Sequence, residues 1–571
     1  MKKWIYTTAL GGMLFLTVAC EGFLDKGPLT EFTDENYWTS EANVRTFAWG
    51  FYDEFLGYGN GSGTTSEFYF QGAGASSAIN ISDDLCNNSF LNFQPNASSS
   101  NTNWSDYYEV VRRANLLLDR IPTVPGMSEE AILHWQSIAR FFRAFTYYRL
   151  VQRFGDVPYI DQYAGAGESD RIYVARLNRN EVMDKVFDDL DFAVKNMRLS
   201  DGKNVINRYV AYALQSRICL YEGTYRKYHN TGEGTEFLTT AKSAALSVIN
   251  NSTYQLGADY QSVFNSVELL NSKEMLLYKD YQPSILMHSI QAYTNTSSII
   301  NGLSRWAVES YACTDGLPVS QSPLYLGDSS IDKVRANRDK RLLATIAGKL
   351  GYSGKEDGGL AATTGYRFAL YNNANLTGSQ VTTINQNHID APVFWLAEVY
   401  LNYAEACAEL NVITQADLDL SINKLRARAG IAPLQFVSNN DVKSSGVTIE
   451  DPARTNALEQ ISGVVSSIIW EIRRERRTEL MSWTYMRLYD LMRWKKGEYL
   501  DMVMNPKVGQ GAKVGAENKG KMAVDADGYI LPYGSNKRTF ASPRNYLNSI
   551  PTSEITLYEA EGVTLTQNPG W

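Results

Sequence analysis

The feature that most constrains the fold of this chain is a wide apolar stripe with the spacing of an α-helix. Six large apolar residues recur at intervals of three and four positions: Ile138, Phe141, Phe142, Phe145, Tyr148 and Val151. This spacing places them on one face of a helix, and a face this wide has to be buried against other elements. The following segment, Phe154-Gly155-Asp156-Val157-Pro158, predicts a helix stop and then extended chain.

The same periodicity recurs along much of the chain. It predicts helices from near Asp34, from Trp104 to Ile121, and over residues 180–197, 209–228, 241–249, 392–410, 418–429 and 468–496. Alanines at positions 211, 213, 241, 244 and 245 allow close approach, as in stacked helical hairpins. The pair 392–410 and 418–429 ends at Gly430 and is typical of a tetratricopeptide-like hairpin.

Two stretches lack helical periodicity. Residues 57–77 are rich in Gly and Ser but have neither the lysine nor the spacing of a phosphate-binding loop, which favours a flexible loop. Residues 253–390 predict an irregular insertion with hairpins, a kind of segment that more often carries recognition than core. We divide the chain into an N-terminal half, 20–235, and a C-terminal half, 236–571, which together form one compact unit.

Composition and charge argue against several classes of function. The 571 residues are 44% hydrophobic, and a formal net charge of −8 without a basic run argues against nucleic-acid binding. The five cysteines and four histidines have no metal-binding spacing. Asp525-Ala526-Asp527-Gly528 lacks the other ligands of an EF-hand and indicates a turn. We therefore predict neither a metal nor a cofactor.

The N-terminus has the pattern of a secretory signal. Lys2 and Lys3 precede a run of roughly 15 mostly apolar residues, shorter than the ~20 that span a bilayer. The run ends in Leu16-Thr17-Val18-Ala19-Cys20, the pattern of a bacterial lipoprotein. Residues 1–19 are thus predicted to be a signal peptide and Cys20 the lipidation site. Two or three acyl chains on this cysteine would together hold the protein at a membrane. The alternative is a soluble secreted protein that is cut elsewhere.

Two clusters of charge have a structural and a functional interpretation. Glu and Arg alternate over residues 471–479 at spacings that allow pairing along a helix, and we favour structural pairing over a site for an anionic ligand. Asp83 and Asp84 could form a catalytic pair, but a glycosidase needs two carboxyl groups that face one bond across about 5–10 Å. Adjacent residues rarely achieve that. Asp84 as an acceptor for a sugar hydroxyl is the remaining functional interpretation.

Taken together, several segments resemble the SusD/RagB family of outer-membrane nutrient-binding lipoproteins from Bacteroidetes. They follow the family order over nearly the whole chain: the lipoprotein pattern at Cys20, Arg143-Ala144-Phe145 through Pro158, Asp315-Gly316-Leu317-Pro318, Tyr400 to Gly430, Glu475-Arg476-Arg477-Thr478-Glu479-Leu480 with Arg493-Trp494, and Ile550-Pro551 to Gly570-Trp571. No single motif is decisive, whereas the ordered set is specific.

The resemblance implies a mostly α-helical fold, a SusD-like α-α superhelix in which tetratricopeptide-like hairpins form a scaffold and a loop-rich face carries the ligand site. It also implies a non-enzymatic protein that is lipid-anchored in the outer membrane and faces the exterior. Such a protein binds a glycan, in some members a peptide, and acts as a lid on a SusC-like TonB-dependent barrel that imports the ligand.

Loop aromatics next to polar groups are the candidates for the ligand site. A sugar ring is held by a flat aromatic under its C–H face and by polar side chains at its hydroxyls. Three places have this composition: Trp104 near Asn101 and Asn103, Trp306 beside Arg305, and Tyr311 near Asp315. We therefore expect a glycan-binding protein that delivers oligosaccharide or polysaccharide to the barrel. A receptor for peptides or glycopeptides is the alternative, and a surface glycosidase is the weaker third.

Overall fold

The computed structural model describes residues 37–59, 81–165, 167–295, 300–437, 440–481, 483, 486–515 and 522–571. The predicted signal peptide, Cys20, the helix start near Asp34 and most of the loop 57–77 lie outside these residues. Within the described residues the fold contains twenty α-helices and nine short β-strands. The prediction of a mostly α-helical fold is therefore confirmed. The buried core is continuous from Trp38 to Leu565.

Seven helices form the N-terminal part of the scaffold: α1 (Glu41–Trp49), α2 (Thr102–Arg120), α3 (Glu129–Phe154), α4 (Ser169–Ile172), α5 (Arg179–Asn196), α6 (Arg208–His229) and α7 (Thr235–Ile249). Helix α3 carries the apolar stripe, and every residue of that stripe is buried. The Ser128 side chain caps its N-terminus by accepting the N–H of Ala131. Gly155, at φ +70°, ends it before the strand β2 (Val157–Pro158), which pairs with β3 (Arg176–Leu177).

The long helices pack on one another in sequence. Helix α2 packs on α3, α3 on α5, α5 on α6, and α6 on α7. At one crossing the backbones of α6 and α7 meet closely, because a Cβ added to Gly234 would lie 2.3 Å from the carbonyl oxygen of Gly223. Glycine is needed there for space. These contacts agree with the prediction of stacked helical hairpins.

Between residues 253 and 390 the chain is irregular, as predicted. Its described residues, which leave out 296–299, contain only short helices and strands: α8 (Ser262–Asn265), β4 (Met275–Lys279), α9 (Ile290–Thr294), β5 (Asn301–Leu303), α10 (Arg305–Ser310), α11 (Ile331–Arg335), α12 (Lys340–Thr345) and α13 (Ser379–Thr382). Strand β5 pairs with β1 (Leu85–Asn87) from the N-terminal half. This pairing holds Asp83 and Asp84 beside helix α10.

Helical structure does not return at Pro392, contrary to the sequence-based prediction. Residues Ala391–Trp395 form strand β6, which pairs antiparallel with β4. All five side chains are buried, so the strand has no alternation of polar and apolar residues that would have distinguished it from the following helix. Helix α14 begins at Leu396 and ends at Glu409.

The C-terminal part completes the scaffold. It contains α15 (Gln415–Leu420), α16 (Ile422–Ala429), a sheet of β7 (Gln435–Phe436), β8 (Val442–Ser444) and β9 (Val447–Thr448), and the helices α17 (Ala457–Ile461), α18 (Ser467–Glu479), α19 (Met486–Arg493) and α20 (Thr552–Ala560). Gly430 ends α16 in the left-handed conformation, as its position predicts. None of the helices in the described ranges is long and apolar enough to cross a membrane.

The charged residues of α18 pair mainly with other elements, and only Arg474 and Glu471 pair along the helix itself among the described residues. The interpretation as structural pairing is confirmed, but its geometry differs from the prediction. At the centre lies Arg341, which is fully buried and lies within 3.1 Å of carboxylate oxygens of Asp339, Glu475 and Glu479. This ion cluster joins α12 of the irregular region to α18.

Two buried histidines, His134 and His288, and the half-buried His229 predict acid-dependent stability. The His288 ring lies 3.0 Å from the carbonyl oxygen of Ile389 through Nε2 and accepts the N–H of Ile290 at Nδ1, so the neutral ring fits its site. Burial lowers the pKa of His288 to about 3, and the pKa of His134 and of His229 to about 4. Because the unfolded state binds a proton near pH 6.5 and the folded state does not, we expect stability to fall as the pH decreases below about 6.5, by about 2 to 3 kcal/mol for His288 at pH ~4.5.

Urea unfolding of the wild type and of a His288→Gln variant at several pH values checks this expectation. The wild type should lose stability relative to the variant between about pH 6.5 and 4.5. The difference isolates this histidine from Asp390, whose pKa burial raises to about 7 and whose protonation acts in the opposite direction. Parallel stability curves for the two proteins would contradict the prediction.

Candidate functional site

A cavity of about 430 Å³ opens where the irregular region meets the C-terminal helices. Its wall comes from α10, the segment 318–320, the segment 451–459, α18, α19 and the segment 496–507. Tryptophans and cations dominate the lining: Trp306, Trp470, Trp494, Arg473, Arg474, Arg477, Arg487, Lys496 and Lys507. We call this cavity the tryptophan pocket. Its size and its mixture of aromatic and polar groups suit a small-molecule or sugar ligand.

Each of the three tryptophans is oriented by a carboxylate. The indole N–H of Trp306 donates to Asp83 at 3.1 Å, that of Trp470 to Asp451 at 3.1 Å, and that of Trp494 to Glu405 at 2.8 Å. Each carboxylate is in turn paired with arginine. Because the edges of the rings are tied down, their faces are held in place before any ligand arrives.

The indoles differ in exposure. Trp306 and Trp470 are half-buried, whereas Trp494 is only 2% exposed and forms part of the base of the pocket. The ring of Tyr499, which also lines the pocket, stacks on that of Trp306 at 5.8 Å between centroids and 27° between planes. The Trp306 ring is therefore supported on one side, and this places an aromatic surface in the wall of the cavity.

Two carboxylates at the pocket, Asp83 and Asp451, have a lowered pKa. Burial alone would raise the pKa of Asp83, but Arg477 and Arg487 lower it to about 2. Burial alone would also raise the pKa of Asp451. Arg474, together with hydrogen bonds from the Ala453 N–H and the Trp470 indole, lowers that pKa below its ordinary value. A carboxyl group that stays ionised in this way is a poor general acid.

The structure contradicts the prediction that Trp104 and Tyr311 belong to the ligand site. Trp104 is 3% exposed and lies in α2, where its ring packs 5.1 Å from that of Phe154. Its neighbour Asn101 is the N-cap of α2 and accepts the N–H of Asn103, so the polar neighbours mark a helix start. Tyr311 is fully buried, with its hydroxyl 3.3 Å from that of Thr345. Neither ring is available to a ligand.

The other predicted site residues, Asp84, Asp315 and Arg305, do not line the pocket. Asp84 is 2% exposed and paired with Arg477 at 2.9 Å, so it has no access to a sugar hydroxyl. Asp315 organises a turn by accepting the N–H of Leu317 and the hydroxyl of Ser322. Arg305 lies beside the pocket and pairs with Glu309. Of the ligand-site residues predicted from the sequence, Trp306 alone lines the tryptophan pocket.

Sequence reasoning missed Trp470 and Trp494. Both lie on or next to helices with buried faces, where an aromatic residue normally signals core. The available signal was Arg493-Trp494 together with the Arg-rich run 473–477, which was assigned entirely to the scaffold. No cluster of metal ligands occurs among the described residues. Asp525 forms the predicted turn by accepting the N–H groups of Asp527 and Tyr529.

Comparison with known proteins agrees with this architecture. A SusD-like protein of Bacteroides ovatus is 24% identical over 524 residues, which are 86% of this chain and 83% of that protein. SusD-like protein P38 of Formosa agariphila is 25% identical over 213 residues, which are 36% of this chain and 40% of that protein. The chain thus spans less than half the length of this second relative.

Solved structures match the fold. A SusD-like carbohydrate-binding protein from Bacteroides fragilis matches with a TM-score of 0.69 at 21% identity, over 91% of this chain and 99% of that one. A laminarin-binding SusD-like protein matches with a TM-score of 0.54 at 19% identity, over 94% of this chain and 100% of that one.

Family profiles match both halves of the chain. A profile described as "Starch-binding associating with outer membrane" matches residues 22–220. A profile described as "SusD family" matches residues 271–571, which is more than half of the chain. The resemblance noted from the sequence motifs is confirmed, and the protein belongs to the SusD family.

Proposed function

We propose that this protein is a cell-surface glycan-binding lipoprotein that captures oligosaccharide or polysaccharide in the tryptophan pocket. The observation that carries the proposal is the anchoring of Trp306 and Trp470, whose indole N–H groups are held by Asp83 and Asp451. Two half-buried indoles at fixed orientation provide surfaces for the C–H faces of sugar rings. The carbohydrate-binding and laminarin-binding proteins of the same fold support this assignment.

The proposal includes the cellular setting. Cys20 carries the acyl chains that hold the mature protein in the outer membrane, facing the exterior, in line with the profile that describes association with that membrane. The partner is a SusC-like TonB-dependent barrel, which receives the glycan. Weak individual sites suffice for this role, because several contacts along one polymer add avidity.

Binding without catalysis fits the chemistry of the pocket. Each of its three carboxylates is paired with a cation: Glu309 with Lys507, Asp451 with Arg474, and Glu459 with Lys496. A glycosidase needs one carboxyl group that donates a proton and a second that faces the same bond. Asp451, whose pKa Arg474 lowers against the effect of burial, does not serve as that proton donor.

A Trp306→Ala variant tests the proposal. We expect it to lose about 30-fold in affinity for the glycan that the wild type binds best on a glycan array, since truncating a central tryptophan removes roughly 2 kcal/mol. The fold should survive, because Asp83 keeps Arg477 and Arg487 as partners. Isothermal titration calorimetry gives the affinity, and thermal unfolding verifies the fold.

Trp49→Ala is the matched control, because Trp49 is 53% exposed and does not line the pocket. This variant should bind like the wild type. Equal affinity of Trp306→Ala and wild type would exclude the tryptophan pocket as the glycan site. A wild type that binds no glycan but carries co-purified peptides would instead favour a peptide receptor.

A further inference from the structure

The oxygens of the carboxylates that line the tryptophan pocket are already in contact with donors of the protein itself. Glu309 accepts from Arg305 at one oxygen and from Lys507 at the other. Asp451 accepts from Ser320 and the Ala453 N–H at Oδ1, and from Trp470 and Arg474 at Oδ2.

The third lining carboxylate is used in the same way. Glu459 accepts from the Tyr499 hydroxyl, and its second oxygen lies 2.6 Å from Nζ of Lys496. An amide of the lining is engaged too, because Asn456 Oδ1 accepts the N–H of Glu459. These side chains therefore have few lone pairs left for the hydroxyl groups of a ligand.

Three cations of the lining, Arg474, Arg487 and Lys507, by contrast keep donors in reserve. Arg487 uses Nε and Nη2 on Asp83, and Arg474 uses Nε on Glu471 and Nη2 on Asp451. For both arginines no residue in the described ranges accepts from Nη1. Lys507 uses one of its three N–H groups, on Glu309. A guanidinium has five N–H donors and an ammonium has three, so several donors remain for a ligand.

The positions of the charges reinforce this imbalance. Asp83, the partner of Arg487, is fully buried and does not line the pocket, and the same is true of Glu471, a partner of Arg474. The guanidinium groups therefore lie between the cavity and these two carboxylates. Lys507 has an exposed side-chain fraction of 39%, and its Nζ lies 5.9 Å from the centre of the Trp306 ring.

We propose that the tryptophan pocket selects a saccharide that carries an anionic group, a carboxylate or a sulfate ester, on the sugar stacked near Trp306. Such a group supplies the acceptors that the lining lacks, and hydrogen bonds between ionised partners are the strongest that a polar pocket can form. Arg474 and Arg487 can each present a planar N–H group to such an oxyanion, and Lys507 closes the rim as a point charge. This inference rests on the proposed glycan-binding function and deepens it.

An array of matched glycans tests the inference with the full-length mature protein. It carries polyuronates and their carboxyl-reduced forms, and sulfated oligosaccharides with their desulfated forms. We expect the acidic member of at least one pair to bind tenfold or more tightly than its neutral counterpart, a difference of about 1.4 kcal/mol or more. The uronate pairs and the sulfate pairs show which anionic group is preferred.

A Lys507→Gln variant connects the preference to the pocket. Its affinity for the acidic glycan should fall about fivefold to tenfold, and by a larger factor than its affinity for the neutral counterpart. Lys349→Gln is the matched control, because Lys349 has an exposed side-chain fraction of 77% and lies outside the pocket. It should change neither affinity.

Each outcome has a distinct meaning. Equal binding of the acidic and neutral members of every pair, with loss of both in Trp306→Ala, would overturn the anionic preference and leave the glycan-binding function intact. Preference for an acidic glycan that Lys507→Gln does not weaken would overturn the placement of the anionic group at this rim. Failure to bind any glycan would overturn the proposed function and this inference with it.

Discussion

Replacing Arg341 by methionine is expected to lower the free energy of unfolding by about 3 to 5 kcal/mol. The Arg341 guanidinium is fully buried and donates to Asp339, to Glu475 and to Glu479. Methionine replaces the aliphatic part of the side chain without the guanidinium, so the three buried carboxylates lose their shared partner. Glu475 keeps Arg426 and Glu479 keeps Arg428, but Asp339 has no second cation among the described residues.

Chemical unfolding of the wild type and of Arg341→Met at neutral pH measures the loss. The penalty should shrink at acid pH, because protonation neutralises the carboxylates that the variant leaves unpaired. A Lys349→Met variant on the surface is the control and should change stability by no more than about 0.5 kcal/mol. A loss below about 1 kcal/mol for Arg341→Met would mean that the cluster does not depend on this arginine.

Replacing Trp104 by alanine is expected to destabilise the protein by about 3 to 5 kcal/mol and to leave glycan affinity unchanged. The ring is 3% exposed and packs against Tyr108 at 5.2 Å and Phe154 at 5.1 Å, where α2 meets the end of α3. Truncation leaves a cavity at this junction, and the surrounding helices can fill it only in part.

Comparison with Trp306→Ala separates a loss of stability from a loss of glycan affinity. Trp104→Ala should unfold at a lower temperature but bind glycan like wild type while folded, whereas Trp306→Ala should keep its unfolding temperature and lose affinity. A conservative Trp104→Phe variant should recover most of the stability, because the ring contact with Phe154 remains possible. Loss of glycan affinity in folded Trp104→Ala would show that this ring contributes to binding.

The buried faces of the helices could be predicted from the sequence with good accuracy. Helix α3 and the end of α16 at Gly430 were both assigned correctly, because a 3.6-residue period and a glycine helix stop are local properties that do not depend on the partner element. Strand β6 was missed because its five buried residues, Ala391–Trp395, carry no alternating pattern. Their extended form depends on pairing with β4, which lies more than a hundred residues earlier.

The candidate site was predicted less well, for a physical reason. Trp104, Trp306 and Tyr311 have similar local sequences, each an aromatic residue beside polar ones. They differ in the contacts that the folded chain gives them. The polar neighbour Asn101 of Trp104 caps a helix, whereas the Trp306 indole is anchored by Asp83. The contact between Trp306 and Asp83 joins residues that lie more than two hundred positions apart in the sequence. No local pattern reports it.

The sequence by itself determined the family, the helical scaffold and the predicted lipid anchor at Cys20, because each of these is written in short motifs or in periodic spacing. Only the tertiary structure decided where the ligand pocket lies and how its charges are arranged. The run of Arg and Glu over residues 471–479 illustrates the difference. Its alternating signs suggested neutralisation within one helix, but folding turns Arg341 toward Glu475 and Glu479 and leaves Arg473, Arg474 and Arg477 at the wall of a cavity.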